Sequence, residues 1–130
     1  MAILPAERAL IDLRVLVRAA IVGIVLEIAL VGAGHFIPYI ARNIFLFGGM
    51  TIVATAGYLY GMDSGRGFFP GATGGAVVAG IAGFLGSGLA VLLRDGPQSI
   101  IPFYTAICVF TGAVGGLFGQ MAFNMRKRGL

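Results

Sequence analysis

Charged residues cut this 130-residue chain into four apolar stretches, residues 19–39, 43–62, 67–93 and 96–125, the first interrupted by Glu27 and His35. Each stretch supplies the ~20 apolar residues that a helix needs to cross the hydrocarbon core of a bilayer. Four crossings take up nearly the whole chain and leave only short loops, with no room for a separate soluble domain. Composition agrees: 58% of the residues are hydrophobic and 11% are charged, against roughly 25% charged in soluble domains. The expected fold is an all-α integral membrane protein, one domain of four transmembrane helices over residues 15–36, 43–61, 72–93 and 101–124.

The formal net charge is +4. In a soluble protein that excess would suggest nucleic acid, but here the cations gather at the ends of apolar spans, so the expected partner is the lipid bilayer and not nucleic acid. Arg8, Arg14 and Arg18 precede the first span, Arg66 lies between the second and third, and Arg126, Lys127 and Arg128 follow the fourth. Only Arg42 and Arg94 fall in the two opposite loops. Basic residues concentrate on the cytoplasmic side, so both termini and the 61–71 loop are expected in the cytoplasm, with a bacterial inner membrane as the setting. The first span is too long for a cleavable signal and runs into His35-Phe36-Ile37-Pro38 rather than a cleavage site.

The segment before the first span is amphipathic, with Pro5 placed for a first helical turn. Glu7, Arg14 and Arg18 share one face and Ala9, Leu10, Leu13, Leu16 and Val17 the other, while Arg8 and Asp12 stand at i, i+4. Pro38 predicts the end of the first helix near residues 35–38. The 61–71 loop is rich in glycine but follows no strand and lacks the Lys-Ser/Thr end of a phosphate cradle. It reads as a cytoplasmic turn with Phe68 and Phe69 in the interface, or alternatively as a docking loop for another subunit. A short echo between Ile37-Pro38-Tyr39 and Ile101-Pro102-Phe103 is no stronger than chance in so apolar a chain.

Small residues recur every fourth position in the third span, at Gly75, Ala79, Gly83 and Ser87, beside a second stripe of Gly74, Ala82, Gly86 and Ala90. The fourth span repeats the device with Cys108, Gly112 and Gly116, running on to Gln120 and Asn124 and backed by Gly115 and Gly119. Lipid provides no hydrophobic drive for helix association, so close backbone approach has to supply it, and such a glycine zipper permits that approach. Helices three and four are therefore expected in close contact, with Phe103, Phe110, Leu117 and Phe118 turned to lipid.

The chemical inventory is thin: one histidine, one cysteine and five acids. Cys108 cannot form an internal disulfide or a cysteine-based metal cluster and reads as a small packing residue. His35, at the outer end of the first span, has no second ligand at metal-site spacing. No catalytic residues, metal or cofactor are expected. Gln120 and Asn124 read as interfacial anchors. Glu27 is different. A carboxylate at that depth costs roughly 2.5–3.5 kcal/mol on insertion scales, so it faces protein, water or a counter-charge, or stays protonated. Thr51, Thr55 and Tyr58 share one face of the second span, the two threonines at matching depth. Glu27 reads either as a proton or cation site completed by those hydroxyls, or as a structural acid bonded to them or to another protein.

Four spans with an acid in the first superficially resemble the small multidrug-resistance transporters, Glu27 standing where their coupling carboxylate would be, although this chain has no tryptophan and its glycines crowd both helices three and four. Gly65-Arg66-Gly67-Phe68-Phe69-Pro70, with Leu92-Leu93-Arg94 after the next span, is similar to a segment in the small membrane subunit of tripartite tricarboxylate transporters, but the extra span before it does not fit. Neither likeness assigns a family. The residues point to a non-enzymatic polytopic membrane protein that acts through helix packing, as a subunit of a larger membrane assembly or a homo-oligomer. The alternative is an oligomeric transporter or channel for protons, a small cation or a small solute, with Glu27 as its working group. A lipid-modifying enzyme would need Asp63, Arg66, His35 or Asp95 to converge on a headgroup, and the topology puts His35 and Asp95 opposite Asp63.

Overall fold

The computed structural model describes residues 12–129. Its main elements are α1 (Leu13–Phe36), α2 (Phe45–Ser64), α3 (Phe68–Leu92) and α4 (Ile100–Lys127). All four are long and apolar enough to cross a bilayer, which makes this an integral membrane protein. Of the amphipathic lead-in, Leu13, Arg14, Leu16, Val17 and Arg18 form the first turns of α1, with Leu16 buried and the two arginines exposed. Pro5, Glu7, Arg8, Ala9 and Leu10 lie outside the described residues.

Local chemistry accounts for most helix ends. Asp12 caps α1, its side chain accepting from the Val15 N–H. At the other end Pro38 follows the Ile37 cap, and the chain turns into α2 through a π-helical turn at Ile40–Ile44. Helix α3 opens at Phe68, ahead of Pro70, because the first turn of a helix needs no N–H from the proline. Gly65 ends α2 in the left-handed region, φ 59°, where a Cβ would also lie 2.6 Å from the Phe123 ring. Replacing Gly65 with Ala is expected to destabilise the bundle by about 1–2 kcal/mol from backbone conformation alone, readable as a lower unfolding midpoint in detergent.

The helices run up and down in sequence order. The start of α1, the α2–α3 turn and the end of α4 meet at one end, where Arg66 pairs with Asp12 at 3.6 Å and the Gly67 N–H donates to Gln120 Oε1. At the opposite end His35 Nδ1 lies 3.0 Å from Asp95 Oδ2, joining α1 to the α3–α4 connection. In cross-section α2 and α3 pack against each other along the middle, with α1 on one side of that pair and α4 on the other. The backbones of α1 and α4 each lie against α2 and α3 but not close to each other.

Helix α4 comes closest. A Cβ on Gly57 of α2 or Gly75 of α3 would strike the Gly112 carbonyl, and one on Gly61 would strike the Gly116 carbonyl. From the α4 side, a Cβ on Gly116 would meet the Gly71 carbonyl. The bulky residues of the same helix, Phe103, Phe110 and Phe118, point outward together with Ile21, Val25 and Ile28 of α1, so the exterior is the apolar surface that lipid tails cover.

Candidate functional site

Glu27 projects from α1 into the seam between α2 and α3 and is fully buried, at 0% exposure. A carboxyl there needs a donor. It finds one in Tyr104 of α4, whose hydroxyl donates to Glu27 Oε1 at 2.9 Å and also lies 3.2 Å from Oε2. The two residues thus join the outer helices of the bundle, whose backbones never approach, across the inner pair.

Two glycines make that meeting possible. A Cβ on Gly49 of α2 would overlap the Tyr104 hydroxyl and stand 3.3 Å from Glu27 Oε1; a Cβ on Gly86 of α3 would stand 2.5 Å from Glu27 Oε2. Each inner helix therefore lacks a side chain where the polar pair crosses. Around this window lie apolar and small groups: Val53 of α2, Ala79 and Ala82 of α3, and Cys108 one turn beyond Tyr104. The Phe45 ring packs against the Tyr104 ring at 5.3 Å between centroids. Among the described residues no cation pairs with Glu27; the ion pairs found join His35 to Asp95 and Arg66 to Asp12.

Thr51, Thr55 and Tyr58 are not at this site. Both threonines are exposed and bond back to their own helix, Thr51 Oγ1 to the Phe47 carbonyl and Thr55 Oγ1 to the Thr51 carbonyl. With Tyr58 they line an open groove between α2 and α4 that also touches Gly115 and Phe118. The expected hydroxyl partners of Glu27 are thus replaced by a phenol from another helix. The reason is angular: Gly49 and Val53 occupy the inner face of α2, so Thr51 and Thr55 are rotated away from the seam despite matching depth. Depth along a span was legible; rotation about its axis was not.

The packing residues lie as follows. Gly75 faces Gly112, Ala79 stands where a Cβ on Gly112 would be, and Gly83 faces Cys108. Gly116 faces Gly71 and Gly61, while Ser87 is buried and bonds to the Gly83 carbonyl of its own helix. Gln120 is buried as well, accepting from Gly67 and donating through Nε2 to Asn124 Oδ1, so it tethers the α2–α3 turn. Among the described residues, no three His, Cys, Asp or Glu side chains gather where they could hold a metal. No family model, curated protein or solved structure matches the chain, so its role has to be read from these residues.

Proposed function

We propose that this is a non-enzymatic membrane protein that works by helix packing, as a subunit of a larger membrane assembly or as a homo-oligomer. The observation that carries the reading is the closure of the Glu27–Tyr104 pair inside one copy. Among the described residues, the only acid deep in a span already bonds to the helix on the far side of the inner pair, and the glycine-lined faces of α3 and α4 are occupied by each other and by α2. A bundle whose buried acid and close-packing glycines are already engaged inside has its outer faces left for interaction. One such face is an apolar groove of about 490 Å³ between α1 and α3, lined by residues such as Ile24, Ile28, Phe84 and Leu89.

Native mass measurement of the detergent-extracted protein tests the proposal. The expected result is a complex heavier than one chain, either a multiple of its mass or a set of co-purifying chains. Glu27→Gln is expected to keep both assembly and function, since the amide oxygen still accepts from Tyr104. A single chain in native extracts, or intact assembly with loss of transport in Glu27→Gln, would transfer the assignment to the transporter reading.

A further inference from the structure

Between the Glu27–Tyr104 pair and the His35–Asp95 end of the bundle lies a cavity of about 60 Å³. Its walls include Val31, Ala90 and Ile100, each about one helical turn from Glu27, Gly86 and Tyr104 respectively, so its floor lies about one turn, roughly 5 Å, above the carboxyl. Phe45, its ring tilted against that of Tyr104, completes that floor, and Asp95 and Gly96 line the cavity at the end of the bundle. A cavity needs on the order of 10–15 Å³ of such space per water, together with polar partners, so this one has room for water, and Asp95 is the polar side chain that lines it. The opposite direction is closed. One turn further along α1, a Cβ on Gly23 would stand 3.2 Å from the methyls of both Ala56 and Ala82, and Val53, Ala79 and Cys108 are fully buried below the pair.

We infer that Glu27 is a proton-binding site that opens to one face of the membrane only, through the cavity beneath the His35–Asp95 pair and across the single side-chain layer of Val31 and Phe45. The inference is independent of what the bundle assembles with. The titratable groups facing the carboxyl are Tyr104 and Cys108, both on α4, while α2 and α3 present glycine, aliphatic side chains and the Phe45 ring. Uptake and release of the proton therefore involve no internal ion pair. Local fluctuation of one apolar layer lets water reach the carboxyl, whereas exchange from the other end would require the packed lower half of the bundle to open.

Infrared spectroscopy of the reconstituted protein after transfer to D₂O tests this, under acidic conditions in which the carboxyl carries its proton. The acid C=O band of Glu27 is identified by its loss in Glu27→Gln, and its deuterium shift reports exchange. In the unmodified protein the band is expected to shift well before the protected amides of α1 exchange. Gly96→Leu narrows the mouth at a position where a Cβ meets only Ile100, at 3.8 Å, and Ala90→Leu fills the cavity itself. Each is expected to slow the shift by about tenfold or more, equivalent to roughly 1.4 kcal/mol in the opening step. Gly88→Leu, on an open face of α3 with nothing within 4 Å, is expected to leave the rate unchanged. Should Ala90→Leu fail to fold, Gly96→Leu decides. The inference falls if plugging leaves the rate unchanged or faster, if the unmodified carboxyl exchanges no sooner than the α1 amides, or if no Glu27 acid band is present.

Discussion

Gly116→Val is expected to prevent the native bundle from forming. Its Cβ would enter the Gly71 carbonyl of α3, while the Gly116 carbonyl is itself covered by Gly61 of α2. Both neighbours are backbone, so no rotamer change relieves the overlap; a helix axis has to move. Overpacking a core costs about 1–3 kcal/mol when side chains can yield and more when they cannot, so the loss here is expected to exceed about 3 kcal/mol. Gly32 and Gly88 are the matched controls, since a Cβ at either meets nothing within 4 Å. Gly32→Ala or Gly88→Ala is expected to leave stability unchanged, or to raise it by up to about 1 kcal/mol through helix propensity. Unfolding by a denaturing detergent in mixed micelles separates the two groups. Equal midpoints for Gly116→Val and Gly32→Ala would show that α4 does not sit against α2 and α3 at this level.

Tyr104→Phe is expected to lower stability by about 1–3 kcal/mol, because it leaves the Glu27 carboxyl buried without a donor. The larger lesson comes from the double substitution. Removing both polar partners, as in Glu27→Leu with Tyr104→Phe, is expected to recover much of the loss, since an apolar pair leaves nothing unsatisfied. A cycle over the two sites is expected to yield a coupling of about 1–2 kcal/mol, at the upper end of values for hydrogen bonds between membrane helices. A coupling near zero would mean that the bond does not hold α1 to α4 across the inner pair. Gly49→Ala provides an independent approach, since its methyl would displace the Tyr104 hydroxyl. It is expected to lose the same coupling without touching either polar residue.

Glu27 was legible as the singular residue because its cost in lipid follows from depth alone, and depth is read by counting along a span. Its partner was not. Tyr104 stands four residues inside the start of α4, within the run Ile101-Pro102-Phe103-Tyr104-Thr105, where nothing local distinguishes it from an interfacial aromatic. A comparison of depths would have admitted Tyr104, Thr51 and Thr55 alike. Only the rotation of each helix separates them, and that rotation is set by contacts such as Gly57 and Gly75 against Gly112. The window at Gly49 and Gly86 was equally hidden: Gly86 belonged to a longer stripe of small residues, and Gly49 sat beside Gly48 with no periodic signal.

From the sequence alone came four helices long and apolar enough to cross a bilayer, the end of the first near Pro38, and the sheltering of one acid inside a span. These follow from interactions between residues close together along the chain and from the cost of charge in hydrocarbon. The tertiary structure decided that α1 and α4 lie on opposite sides of an inner pair, that a tyrosine rather than a threonine meets the carboxyl, and that a cavity leads toward that meeting from one end. Those outcomes depend on how four helices rotate and approach together, a cooperative choice made by backbone contact at glycines that no single helix carries by itself.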